Sequence, residues 1–160
     1  MLQNKNNLPP TETEPKRPRR RDTSHSSSTG VSAADDAALA LAKLSVVAGL
    51  EKKALEPVLL DVREQSTYTD FIVLLSGRSD RHVQAVSDAV IETLVKHGHR
   101  PIGMEGHQQG HWTLIDFGEL VVHVFHHPVR EFYDLEGLWC DARRIPLEVP
   151  PEARAEPTMY

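Results

Sequence analysis

The spacing of apolar residues changes several times along this chain, and each change marks a different element. Ser32 and Asp35 have the spacing of a capping box that opens a helix running to about Ala54, with Ala40, Leu44 and Val47 on one face. In "PVLLDVRE" the pattern shifts to alternation, which puts Val58, Leu60 and Val62 on one side of a strand and Asp61 and Arg63 on the other. Phe71 to Leu75 is apolar at every position, the pattern of a central strand covered on both faces. After Ser76-Gly77-Arg78-Ser79 the spacing becomes helical, with Val83, Val86, Val90 and Leu94 aligned. Ser79 is placed to cap that helix and Gly98 to close it, which completes a strand-turn-helix unit.

Beyond Pro101 the chain offers a short strand near Ile102 to Met104, then "HWTLID" and "ELVVHVFHH" joined across Phe117-Gly118, a hairpin signal. Leu120, Val122 and Val124 fall on one face of the second hairpin strand, and Val121, His123 and Phe125 on the other. Pro128 suits the first position of a final helix, "PVREFYDLEGLW". The pattern predicts an α/β fold, a mixed sheet of about five strands with packed helices. No internal repeat interrupts it.

Charge and composition refine this picture at the two ends. Residues 1–31 carry Lys5, Lys16, Arg17, Arg19, Arg20 and Arg21 against Glu12, Glu14 and Asp22, a balance of +3, so the remainder holds −8 towards the total of −5. An acidic remainder disfavours nucleic acid, whose phosphates reward Lys and Arg, and suits a basic protein surface. Residues 1–31, rich in Pro, Ser, Thr and Arg, have little to bury and are expected to be disordered. Their "KRPRRR" is a solvated run or an accessory contact to RNA. An organelle transit peptide fits them less well, given three acidic residues and scattered prolines. Residues 143–160, with four prolines in "IPLEVPPEARAEPTMY", read as a second tail, leaving one folded domain at 32–142. No apolar run approaches the roughly 20 residues that span a bilayer, and no secretory leader opens the chain, so a soluble, cytoplasmic protein is expected. The single Cys140 excludes an internal disulfide and a CxxC metal clip.

Taken in order, "TDFIVLLSGRSDRHVQAVSDAV" and "EGHQQGHWTLIDFGELVVHVFHHPVREFYDLEGLWCDA" resemble the ribosomal silencing factor family, RsfS or Iojap-like. The resemblance spans roughly Ala38 to Ala142. It rests on Thr69-Asp70, Ser76-Gly77 with Arg81-His82, Glu105-Gly106, Trp112, the hairpin from Asp116 to His123, Tyr133-Asp134-Leu135-Glu136 and Trp139. It implies a nucleotidyltransferase-like fold without catalytic residues, and a regulator of translation rather than an enzyme. The implied partner is the large ribosomal subunit at ribosomal protein L fourteen, where binding blocks joining of the small subunit under nutrient limitation; roles in ribosome biogenesis also occur in the family. Carried onto matching positions, the implied contact residues are Glu105, Trp112, Asp116, His123, Arg130, Tyr133, Asp134 and Glu136. The acidic members would meet Lys or Arg on the partner, and the aromatic members would supply buried area. No cofactor, metal or membrane contact is implied, a monomer or homodimer is expected, and the basic stretch would touch ribosomal RNA only peripherally.

The alternative is a nucleotide-handling enzyme that keeps the nucleotidyltransferase fold. Such an enzyme follows its glycine-serine turn with carboxylates spaced Asp-x-Asp or Asp-x-Glu on one strand face, where both hold Mg²⁺. Here Asp116 and Glu119 lie across a turn, and no Walker lysine follows Gly77, so Ser76-Gly77-Arg78-Ser79 reads as a structural turn. "DFG" at 116–118 reads as the hairpin turn, because the chain lacks the other kinase motifs. The nine histidines, among them His97, His99, His107, His111, His126 and His127, match no strong zinc spacing and are expected to be structural or surface groups. Cys140 and Ser79 have no base partner nearby in sequence. Trp112 and Trp139 fit either core packing or an interface.

Overall fold

The computed structural model describes residues 33–154, so the Ser32 cap, the basic stretch 1–31 and residues 155–160 lie outside the described part. Helix α1 (Ala33–Glu51) stops short of Ala54. Lys53 takes a left-handed backbone (φ 66°), and the bonds Lys53 N–H to Leu50 O and Ala54 N–H to Gly49 O close a Schellman turn. The helix buries Ala38, Leu41, Ala42, Ser45, Val46, Ala48 and Gly49. That is a different face from the expected Ala40, Leu44 and Val47, and Val47 is 51% exposed. An alanine-rich helix is apolar on most sides, so periodicity cannot choose its face. Close approach decides instead, because a Cβ on Gly49 would lie 2.7 Å from Leu75 Cδ1.

Strands β1 (Leu55–Asp61) and β2 (Phe71–Gly77) precede helix α2 (Asp80–Lys96), followed by β3 (Gly103–Glu105), β4 (Trp112–Asp116) and β5 (Leu120–His126). With β6 (Arg143–Arg144) at one edge, the sheet order is β3-β4-β5-β2-β1-β6, with β2 and β5 parallel and every other pair antiparallel. β2 is buried at every residue, as its unbroken apolar run requires. Ser79 Oγ accepts from His82 N–H at 3.1 Å to cap α2, and Val83, Val86, Val90 and Leu94 are fully buried beneath it. Gly118 takes φ 94° in the hairpin turn, where Asp116 Oδ1 accepts from its N–H at 2.8 Å.

The two faces of the sheet carry separate apolar clusters. α1 and α2 cover the first, built on Leu59, Phe71, Val73, Leu75, Val122 and Val124. The second holds Val58, Leu60, Val62, Ile72, Leu74 and Phe125, packed by Val129, Leu135 and Trp139.

Two expectations about the C-terminal region need correction. The segment "PVREFYDLEGLW" is two helices, α3 (His127–Tyr133) and α4 (Leu135–Leu138), broken where Asp134 adopts left-handed angles (φ 48°, ψ 55°). Asp tolerates that conformation, and its carboxylate accepts from Gly137 N–H at 3.1 Å to restart the helix. The stretch from 143, read as a tail, adds a sixth strand instead: β6 (Arg143–Arg144) pairs with Leu60 and Asp61, and Ile145 N–H donates to Leu59 O at 2.9 Å. Ile145 is buried in the first cluster, and Ala153 is buried in a short 3₁₀ turn, Pro151–Ala153. Proline content reports the lack of a helix; it does not report the lack of packing.

If this packing holds the sheet edge, Ile145→Ala lowers the unfolding free energy by about 2 kcal/mol, at the low end for a buried Ile. Truncation after Ala142 lowers it further. Urea unfolding reads both, and a solvated tail would show neither loss.

Candidate partner-binding surface

Antiparallel neighbours directly opposite one another share a face of the sheet. The pairs Trp112–Phe125, Leu114–His123, Asp116–Val121 and Glu105–Leu114 therefore place Trp112, Asp116, His123 and Glu105 on one side, the side carrying α3 and α4. The two short helices pack over β1, β2 and the end of β5, so the second face continues past them onto β4 and β3.

An aromatic cluster forms where the covered and uncovered parts meet. The Trp112 ring centroid lies 4.9 Å from Phe125 and 4.8 Å from Tyr133, and the His123 and Phe125 rings stack at 12°. Trp112 Nε1–H donates to His123 Nδ1 at 3.0 Å. An indole nitrogen only donates, so the neutral His123 ring carries its proton on Nε2. His123 is 7% exposed, and burial pushes its pKa down from 6.5 to about 4.

Arg130 is 3% exposed and its guanidinium is engaged inside the chain. Nε and one terminal nitrogen donate to Glu136 Oε1 and Oε2, each at 3.2 Å, while the other donates to Ser76 Oγ and Glu56 O, each at 2.8 Å. Glu56 is left-handed (φ 49°) beside the irregularity between Leu55 and Val58 in β1. Glu136 also meets Arg144 at 3.5 Å.

The eight residues singled out thus separate into groups. Trp112, His123 and Tyr133 form the cluster; Arg130 and Glu136 form an internal ion pair; Asp134 caps α4; Asp116 closes the hairpin; Glu105 stands exposed on edge strand β3. Arg130 and Glu136 are therefore engaged within the fold, and Arg130 offers no free charge to a partner. Sequence reasoning passed over Phe132, 79% exposed and edge-on to Tyr133 with centroids 5.0 Å apart, and Leu138, 72% exposed. The available signal was the adjacent Phe132-Tyr133 pair, which cannot both point inward from a single short helix.

Elsewhere, Ser76 Oγ is occupied by Arg130, and a Cβ on Gly77 would sit 3.0 Å from Val83 Cγ2 and 3.1 Å from Val83 N, so this glycine serves close strand-helix packing. His107 bonds Asp88 at 2.8 Å and His111 bonds Asp80 at 3.1 Å, which ties the β3–β4 loop to α2. Among the described residues, no group of three or more His, Cys, Asp or Glu is arranged to hold a metal ion. No described helix is long and apolar enough to cross a membrane.

Fold and surface together make a small α/β protein with a solvent-facing aromatic edge. The family model "Ribosomal silencing factor during starvation" matches residues 35–159, and the chain belongs to that family. It is similar to the ribosomal silencing factor RsfS of Halalkalibacterium halodurans, 39% identical over 108 residues that cover 68% of this chain and 92% of that one. Mouse "Mitochondrial assembly of ribosomal large subunit protein 1" is 31% identical over 93 residues, 56% of this chain and 40% of that one. A crystal structure of a Chromobacterium violaceum protein matches with a TM-score of 0.63 at 31% identity, covering 70% of this chain and 92% of the other.

Two outcomes follow for stability. Arg130→Ala strips the partner from Ser76 Oγ and from the Glu56 carbonyl and leaves Glu136 with Arg144 alone, so it costs about 3 kcal/mol in urea unfolding. Arg130→Lys recovers only part, because an ammonium cannot reproduce the guanidinium fork. For His123 the folded state resists a proton that the unfolded chain accepts near pH 6.5. Its contribution is therefore complete above pH 6.5 and is lost as pH falls towards 4, a change of about 3 kcal/mol in all. In unfolding measured from pH 7 to pH 4, His123→Phe removes that part of the slope.

Proposed function

We propose that this protein is a non-enzymatic repressor of translation that binds the large ribosomal subunit at ribosomal protein L fourteen, blocking subunit joining in the cytoplasm when nutrients are scarce. Membership of the ribosomal silencing factor family over residues 35–159 carries the reading. The mouse relative's name supports the same subunit, since it refers to assembly of the ribosomal large subunit. Two physical features agree with it. The chain outside the first 31 residues holds a charge of −8, suited to a basic protein partner. Phe132, Tyr133 and Leu138 stand exposed, with Tyr133 packed on Trp112 and Phe132 on Tyr133, and large aromatics are the usual anchors of protein interfaces.

The contact surface in this reading is Trp112, Tyr133, Phe132 and Leu138 with Glu105, Asp116 and Asp134 around them. Arg130 and Glu136 act from beneath by holding α3 and α4, and His123 lies under the indole.

Cosedimentation with purified subunits is the test. The protein pellets with large subunits, not small ones, and suppresses formation of the full ribosome. Phe132→Ala and Tyr133→Ala each weaken retention about tenfold or more, as interface anchors do. Phe132→Ala melts like the parent, because an exposed side chain changes stability by only about 0.5 kcal/mol, whereas Tyr133→Ala also gives up its packing on Trp112, worth about 1 kcal/mol. Equal retention on both subunits, or undisturbed joining, overturns the function; parental binding by both variants overturns the surface.

A further inference from the structure

We propose that His123 is a positioning residue for this surface: it fixes the orientation of the Trp112 indole, and through it the Tyr133 ring, in the form that meets the large subunit. The inference rests on the function proposed above. It begins from the register, which places Phe125 opposite Trp112 and His123 opposite Leu114, so the indole-imidazole bond runs diagonally across β4 and β5. Phe125, 4.9 Å away, locates the indole by contact, but dispersion has little directionality and accepts a flipped ring. The hydrogen bond is directional. Aiming Nε1–H at His123 Nδ1, 3.0 Å away, satisfies this part-buried donor inside the cluster, and a flipped ring gives up that bond.

Orientation then passes outward. Tyr133 packs against the indole at 4.8 Å and is 52% exposed, and Phe132 meets it edge-on at 90°. A planar indole turned about its side-chain bonds presents a different edge to Tyr133 and moves the ring that solvent, or a partner, sees. His123 itself is too buried to supply contact area. As burial disfavours its charged form, the acceptor nitrogen stays available through the neutral range. Its effect on association should therefore run through Trp112.

The test uses the full chain with purified large subunits and reads three quantities: retention, the melting temperature, and the exchange rate of the Trp112 indole proton by nitrogen-15 NMR. His123→Phe removes the acceptor while keeping a ring. It accelerates exchange at least tenfold and weakens retention about tenfold, the size of one ordinary interface contact. His123→Asn, whose Oδ1 occupies the place of Nδ1, restores both. In a Trp112→Phe background, His123→Phe has less than a twofold further effect. Should His123→Phe fail to fold, benzothienylalanine at position 112 removes the donor instead, keeping the shape of the indole without its N–H, and the same loss is expected. Parental retention after the bond is lost, or an equal loss in the Trp112→Phe background, overturns the positioning role and leaves the proposed function standing. A parent that large subunits do not retain overturns the function and the role together, while the NMR signature still reports the bond.

Discussion

The placement of the two C-terminal helices depends on one buried charge. A guanidinium removed from water is tolerated only when its donors are satisfied, and Arg130, on α3, finds its partners in three separate elements: α4 supplies Glu136, β2 supplies Ser76 and β1 supplies the Glu56 carbonyl. The irregular start of β1 meets this demand, since left-handed Glu56 lies beside the break in register and its carbonyl accepts from the guanidinium. Helices of 7 and 4 residues have little stability in isolation. The ion pair and the apolar contacts of Val129, Leu135 and Trp139 hold them to the sheet, and with them the exposed rings.

The shape of the sheet explains why the aromatic cluster lies where it does. α1 and α2 have 19 and 17 residues and cover the first face broadly, whereas α3 and α4 are short and, among the described residues, reach only the Trp112 end of β4 on the second. Trp112 lies at that margin, packed against both Phe125 and Tyr133. An amphipathic side chain at such a margin contributes to both stability and recognition. His123 beneath it supplies the polar partner that the indole requires.

The same geometry accounts for the turn at Ser76-Gly77-Arg78-Ser79, whose chemistry invites a phosphate-binding reading. Ser76 is turned to Arg130, Gly77 is compressed against Val83, and Ser79 caps α2. Each conspicuous residue already has a structural task. Asp116 likewise closes its own hairpin through the Gly118 N–H.

What the chain's linear pattern determined was everything set by local periodicity and turn chemistry. The buried β2 run, the valine and leucine stripe of α2, the Ser79 cap, the Gly118 hairpin and the alternation of β5 were all legible, because burial on one or two faces imposes a short repeat on the residues themselves. Order and identity of motifs also carried the family. The tertiary structure alone decided matters in which several orientations are equally apolar or equally polar in sequence. The alanine-rich α1 could bury almost any side, and Gly49 against Leu75 selected one. Proline-rich residues 143–154 carry no periodic signal, yet β1 offered a free edge and the core offered space to Ile145. Arg130 looked like a surface contact because a charged residue gives no sign of the partners awaiting it. Those partners come from positions as far apart as Glu56 and Glu136, and only folding brings them within hydrogen-bond reach.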